Sequence, residues 1–216
     1  MTELIIEAVK AKRTLTELSA GEFSTVKASG MIFNISRYRA EGLGTVSVMR
    51  GSAMLGLMKM DTVIFTPDER DLPLLSYDRI HVAGKDTLII ELYDTLLGEC
   101  DLSAFDRAKE YSEGTSDHDL GAHWYDDIKL PESISKRGKK KNSSVFDLLS
   151  LAYVKTYIDL AETARKCDPK EKTAKNALYV EGLLKNGGPS TDAFKKAIGE
   201  EKTARLFRNV LFGTEQ

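Results

Sequence analysis

"VIFTPDERDLPLLSYDRI", residues Val63–Ile80, is the stretch on which the fold turns. Two runs rich in apolar, β-branched and aromatic residues flank a charged turn bounded by Pro67 and Pro73, so the segment reads as a hairpin with a long loop. The second run carries Asp78 to a position where a sheet favours Val or Ile, and the first run begins at Asp61. Pairing the strands so that Asp61 lies near Asp78 puts Asp61, Val63 and Phe65 on one face with Ser76, Asp78 and Ile80. Two carboxylates side by side on a half-buried surface do not both ionise cheaply. Desolvation and like-charge proximity raise one pKa toward neutrality, which is what a proton donor working near pH 7 requires. The same residues also suit a plainer role, as solvated charges beside Arg79 and Lys59 that keep an edge strand from aggregating.

Outward from the hairpin, the texture between Phe23 and about Asp94 stays the same. "STVKASG", "MIFNISRYRA", "GTVSVMRG", "MKMDTVIFT", "SYDRIHVAG" and "DTLIIELYD" are six strand-like runs, each bounded by Gly, Pro or Asp, with short links that predict an antiparallel meander. Residues 3–19 read as a short amphipathic helix through Leu4, Ile5, Ala8, Val9, Leu15 and Leu18. After Leu97 the pattern is helical. Ser103 is a candidate N-cap for "AFDRAKEYSEG", and Ser143 or Ser144 for "VFDLLSLAYVKTYIDLAETARK". Pro169 opens a helix that Gly187-Gly188-Pro189 ends, and "STDAFKKAIG" and "EEKTARLFRNVLF" close the chain. Strands followed by helices predict an α+β fold, an α/β/α sandwich with a central antiparallel sheet flanked by helices on both faces. One domain over 1–216 is expected, sheet-rich over 23–97 and helical over 100–213.

Composition narrows the function. The 216 residues are 42% hydrophobic and 30% charged with a net charge of −2, which suits a globular protein that needs no disulfides and offers no global field for nucleic acid or membrane. Cys100 and Cys167 have no partner spacing, and His81, His118 and His123 form no H-E-x-x-H pattern, so neither a disulfide framework nor a zinc site is expected. No signal peptide or membrane-spanning run is visible, and a cytoplasmic setting is expected. The one biased segment is "SKRGKKKN", Ser135–Asn142, either a mobile solvated loop or a docking patch for an acidic partner. Trp124 reads as a core anchor, and Met49, Met54, Met58 and Met60 either line an adaptable pocket or fill gaps in the core.

The hairpin "VIFTPDERDLPLLSYD" resembles the signature of the ferredoxin-dependent bilin reductases, the family that includes phycocyanobilin:ferredoxin oxidoreductase and has red chlorophyll catabolite reductases as relatives. There an apolar strand ending in Phe and Pro is followed by a short loop, a Leu-Pro segment and an aspartate central to catalysis. Phe65, Pro67, Leu72, Pro73, Leu74 and Asp78 fall in that register, and "AFKKAIGEEKTARLFRNVLF" resembles the family's C-terminal helices. Where family members carry His or Asn four residues before the Phe, this chain has Asp61, and Ser47 stands where a family His is found.

The resemblance implies a reductase of a linear tetrapyrrole, with Asp78 and Asp61 as proton donors and Ser47, Met49 and Phe65 at the substrate. It implies no bound flavin, nicotinamide or metal, in keeping with the lack of GxGxxG, P-loop and CxxC patterns. Electrons would arrive singly from an external iron–sulfur protein, a ferredoxin, or from a flavodoxin-like donor. Such donors are acidic, which gives Lys136, Arg137, Lys139, Lys140 and Lys141 a docking role. The alternative, favoured by Asp61 in the His/Asn place, is a non-enzymatic tetrapyrrole carrier on the same fold.

Overall fold

The chain opens with helix α1 (Thr2–Lys10), which buries Ile5, Ile6 and Val9. The helix expected over 3–19 stops at Lys10, because Leu15–Leu18 forms strand β1 instead and pairs with the far end of strand β3. Leu15 and Leu18 fit a helical spacing as well as an edge strand, and the hydrogen-bond donors and acceptors of Arg37–Ala40 decided the matter. The six runs of the meander form β2 (Thr25–Ala28), β3 (Met31–Ala40), β4 (Gly44–Ala53), β5 (Met58–Pro67), β6 (Leu74–Val82) and β7 (Lys85–Tyr93), in the computed structural model that describes residues 1–215. Helix α2 (Ala104–Glu110) and strands β8 (Ser116–Asp117) and β9 (Ile134–Lys139) follow. Then come α3 (Ser143–Thr163), α4 (Pro169–Asn186), α5 (Pro189–Ile198), α6 (Glu200–Arg205) and a π-helical segment, Leu206–Leu211. The antiparallel sheet has nine strands in the order β1–β3–β4–β5–β6–β7–β9–β8, with β2 beside β3.

The basic run is not a free loop. Lys136, Arg137 and Lys139 lie in β9, which pairs with β7 from Lys85 to Ile90. Alternation sends Lys136 to one face, where it meets Asp117, and Arg137 to the other, so the run is divided between two surfaces.

The register of β5 against β6 also differs from the sequence reading. Phe65 pairs with Leu75 and Thr62 with Asp78, while Asp61 lies opposite Arg79. A shift of one residue moves a side chain to the other face of a sheet. Leu75 and Tyr77 are fully buried with Phe65 and Val63, and that apolar set selects the register. Asp61 and Asp78 are therefore on opposite faces.

Each face has its own core. Val46, Val48, Val63, Phe65, Leu75, Tyr77, Leu88 and Ile90 pack against Ile5 and Val9 of α1, Phe105 of α2 and Phe146, Tyr153 and Tyr157 of α3. Phe33, Ile35, Met49, Ile64, Leu74 and Tyr93 pack against Tyr179, Val180 and Leu183 of α4, Phe194 of α5 and Phe207 and Leu211. The helices start differently from expectation: Ser103 makes no capping bond, and Asn142 precedes α3 while the Ser143 hydroxyl donates to Asp86 Oδ2 at 2.7 Å. Asp168 caps α4 by accepting from the Lys170 and Glu171 amides.

Candidate active site

The loop between β5 and β6 sets where the strand that carries Asp78 begins. Tyr157 of α3 donates to Pro73 O (2.8 Å) and Asn176 of α4 to Pro67 O (2.7 Å), gripping the loop at both prolines. Between them Asp71, buried, accepts from Arg165 Nη2 at 2.8 Å and Lys172 Nζ at 3.2 Å. Those bonds and the Leu97 amide hold its carboxyl below the ordinary range despite burial. The Leu-Pro segment is thus a rigid entry into β6.

On the α4 face, Asp78 stands in a row with Met49, Thr62, Ile89 and Ser135, each the cross-strand partner of the next. Thr62 Oγ1 donates to its Oδ1 at 2.5 Å and Ser76 Oγ to its Oδ2 at 3.2 Å. Asp78 is partly exposed and lines a cavity of about 300 Å³. Burial pushes the Asp78 carboxyl from 3.8 up to about 6; the Thr62 and Ser76 hydroxyls pull it down and the nearby Glu91 charge pushes it up. A carboxylic acid in that range can hold and release a proton near neutrality.

Glu91, on β7, faces the same cavity and is only 7% exposed. Its cross-strand partner is Ser76, which itself touches Asp78. Glu91 Oε2 accepts from the Tyr93 hydroxyl at 2.6 Å, while Oε1 has no hydrogen-bond partner and only Lys129 Nζ, 3.8 Å away, as a nearby cation. Tyr93 stacks on Tyr179 of α4 at 4.2 Å between ring centroids and meets Tyr125 edge-on at 5.5 Å. Burial holds the hydroxyls of Tyr93, Tyr125 and Tyr179 protonated far above their ordinary range, so they act as donors. Met60, Ile80, Ile89, Leu183 and Phe207 make the rest of the wall largely apolar. At the mouth, Arg137 Nε donates to Thr87 Oγ1 at 3.1 Å, and His118 stands nearby with its pKa lowered by partial burial and by the Arg137 charge. His123 stacks on Tyr125 at 4.8 Å and leaves its buried Nδ1 unpartnered. No group of three or more His, Cys, Asp or Glu that could hold a metal occurs among the described residues.

The residues singled out from sequence are separated by this geometry. Asp78 is in the cavity. Asp61 is on the other face, between its cross-strand neighbours Arg50 and Arg79. Phe65 is also on that face, tilted against the Tyr157 ring at 5.3 Å. Ser47 and Met49 share the face of Asp78 but lie outside the cavity lining, and the Ser47 hydroxyl donates to Leu211 O at 2.6 Å, tying β4 to the C-terminal helix. Of the basic run, Arg137 reaches the cavity mouth, Lys136 is paired with Asp117, and Lys139, Lys140 and Lys141 are exposed. Trp124 is half-buried over Gly182 of α4 and donates to Gly187 O at 3.0 Å. Sequence reasoning missed Glu91 and the tyrosines. The signal for Glu91 was present: an acid inside the apolar run "LIIELY" is the same anomaly that drew attention to Asp78.

No protein-family model matches the chain, and no curated protein matches it in sequence. Among solved structures it is similar to phytochromobilin synthase from tomato, crystallised in complex with biliverdin, with a TM-score of 0.78 and 15% sequence identity over 99% of this chain and 83% of that chain. At that identity the likeness is one of fold alone.

Proposed function

We propose that the cavity on the α4 face binds a linear tetrapyrrole and that the protein reduces it by coupled single-electron and proton transfers, on an α/β/α arrangement of the bilin reductase type. The observation that carries this reading is Asp78, held near pKa 6 inside a cavity on a fold like that of a protein crystallised with biliverdin. A conjugated tetrapyrrole is apolar across its rings and polar at its pyrrole nitrogens, lactam oxygens and carboxylates. Met60, Ile80, Ile89, Tyr179 and Phe207 suit the rings, Asp78 suits the nitrogens or lactam oxygen, and Arg137 at the mouth suits a carboxylate. At about 300 Å³ the cavity is smaller than such a ligand, which would fill it and project through the open mouth.

Saturating one double bond takes two electrons and two protons. Asp78 supplies one proton, and the other enters from solvent and is passed on by Glu91, the second carboxyl of the cavity, whose Oε2 accepts from the Tyr93 hydroxyl. Protonation raises the electron affinity of the bilin, so proton supply and electron uptake are coupled. The electrons come one at a time from an external ferredoxin or flavodoxin-like donor docking at the exposed Lys139, Lys140 and Lys141, and no resident cofactor takes part. Two free thiols, Cys100 and Cys167, accord with a reducing, cytoplasmic setting.

The carrier reading keeps one observation in its favour: on the face of Asp78, β5 carries Met58, Met60, Thr62, Ile64 and Thr66, none of them ionisable. One experiment separates the two. Mixing the protein with biliverdin should shift and sharpen the pigment's absorbance. Adding reduced ferredoxin under anaerobic conditions should then convert that spectrum to a product spectrum. A shift with no later conversion makes the protein a carrier, and no shift at all refutes both readings.

A further inference from the structure

The tip of the β4–β5 hairpin presents apolar side chains to water. Leu55 is fully exposed, Met54 is 70% exposed and Leu57 72%, and Ile32, on the neighbouring strand, is 44% exposed. Ile32 is the cross-strand partner of Ser52, at the foot of the same hairpin. Met54 and Leu55 have φ of 51° and 56°, in the left-handed region that β-carbon sterics disfavour for any residue but glycine. A polar or glycine-rich turn would close this hairpin with less strain and without exposing apolar surface.

The exposed charges nearest the tip are lysines. Lys27 pairs with Ile32, Lys59 with Ser52, and Lys85 lies one strand beyond β6 at the same end of the sheet. All three lysines are exposed, and among the described residues none is in an ion pair. Of the acids at this end, Glu3 pairs with Arg50 and Asp86 sits in a buried bidentate pair with Arg79, while Asp61 lies across the strands from those two arginines. A chain with a net charge of −2 thus carries a local positive collar around an apolar point.

We propose that this hairpin tip is a peripheral membrane contact, which inserts Met54, Leu55 and Leu57 among the lipids of an anionic bilayer while Lys27, Lys59 and Lys85 meet the headgroups. The shape favours a bilayer over an acidic protein. A four-residue convex tip is too small to form its share of a stable protein interface, whereas a bilayer accepts a protruding apolar point at any depth. Each lysine near an anionic surface contributes, and so does each leucine withdrawn from water. The apolar point of the contact lies on β4–β5, three strands and about 14 Å from β9, while Lys85 of the collar is the cross-strand partner of Lys139 in the donor patch, so the two positive surfaces adjoin at β7. The contact adds a surface that the overall charge and the lack of a membrane-crossing helix among the described residues give no hint of, and it holds whatever the cavity binds.

The test is sedimentation with vesicles of phosphatidylcholine alone and of phosphatidylcholine with phosphatidylserine. The wild type should pellet with the phosphatidylserine vesicles only and be released by salt. Leu55→Ser/Leu57→Ser and Lys59→Glu/Lys85→Glu should each weaken that partitioning by roughly tenfold or more while melting at the wild-type temperature. Partitioning no greater than to phosphatidylcholine alone would overturn the proposal, as would variants that bind vesicles like wild type. A third overturning result is loss of ferredoxin binding in the tip variants with no vesicle binding in the wild type, which would make the tip a protein-docking surface.

Discussion

Asp78 is costly where it stands, and in the proposed reaction that cost is what would make it useful. Its pKa is raised from 3.8 to about 6, so the folded protein holds the proton more tightly than the unfolded chain. By linkage, stability then falls as pH rises from about 4 to 6, and above that range the ionised carboxylate burdens the fold by at most about 3 kcal/mol. Asp78→Asn keeps the shape and can still accept from Thr62, but has no proton to give. The variant should melt higher than wild type at pH 8 and no differently below about pH 4, which thermal denaturation across pH would show. It should still bind bilin, yet reduce it at least roughly a hundredfold more slowly, the scale of a lost general acid. Wild-type turnover would make the carboxylate structural.

Asp61 illustrates what strand register decides. One position along β5 places it against Arg50 and Arg79 rather than in the cavity. Asp61→Asn should therefore leave bilin reduction near the wild-type rate, and a loss comparable to that of Asp78→Asn would mean the cavity has been assigned to the wrong face.

Its neighbour Arg79 belongs to a different device. Arg79 Nε and Nη2 grip Asp86 Oδ1 and Oδ2 at 2.5 and 2.6 Å with both residues essentially inaccessible, and the guanidinium lies 5.1 Å from the Phe146 ring centroid. This pair fastens the β6–β7 hairpin to the start of α3, where Ser143 also donates to Asp86. Asp86→Ala leaves the buried guanidinium, whose Nη1 is already unpartnered, with the half-exposed Asp147 at 3.5 Å from Nη2 as its carboxylate partner, and should cost about 3–5 kcal/mol in urea denaturation. Replacing both residues with apolar ones of similar volume should recover much of that loss, because the buried charge goes with its partner.

Across the molecule, two cores serve two purposes. α1, α2 and α3 build a dry core on one face, whereas α4, the start of α5 and the π-helical segment leave a gap over Asp78 and Glu91. The gap opens beside β9, so a donor that docks on Lys139–Lys141 approaches the mouth at which Arg137 stands. Reversing the three lysines to glutamate should slow electron delivery and flatten its dependence on ionic strength while leaving the bilin dissociation constant unchanged, readable from stopped-flow reduction over a salt series. An unaltered salt dependence would leave Lys139–Lys141 as ordinary solvated surface.

What the amino-acid order determined alone is whatever depends on near neighbours. The strand runs from β2 to β7, their antiparallel succession, the helical second half and the oddity of Asp78 were all legible, because alternation, turn residues and prolines act within a few positions. Tertiary contacts decided the rest. Leu15–Leu18 became a strand only because β3 offered it an edge, and the basic run became β9 only because β7 did. Which face Asp61 occupies hung on a one-residue register that Leu75 and Tyr77 settled by burying against α3. The second carboxyl of the cavity was Glu91 rather than Asp61 for the same reason: side chains from β6, β7 and α4 meet there across gaps of many residues, and no local pattern encodes which strands lie side by side.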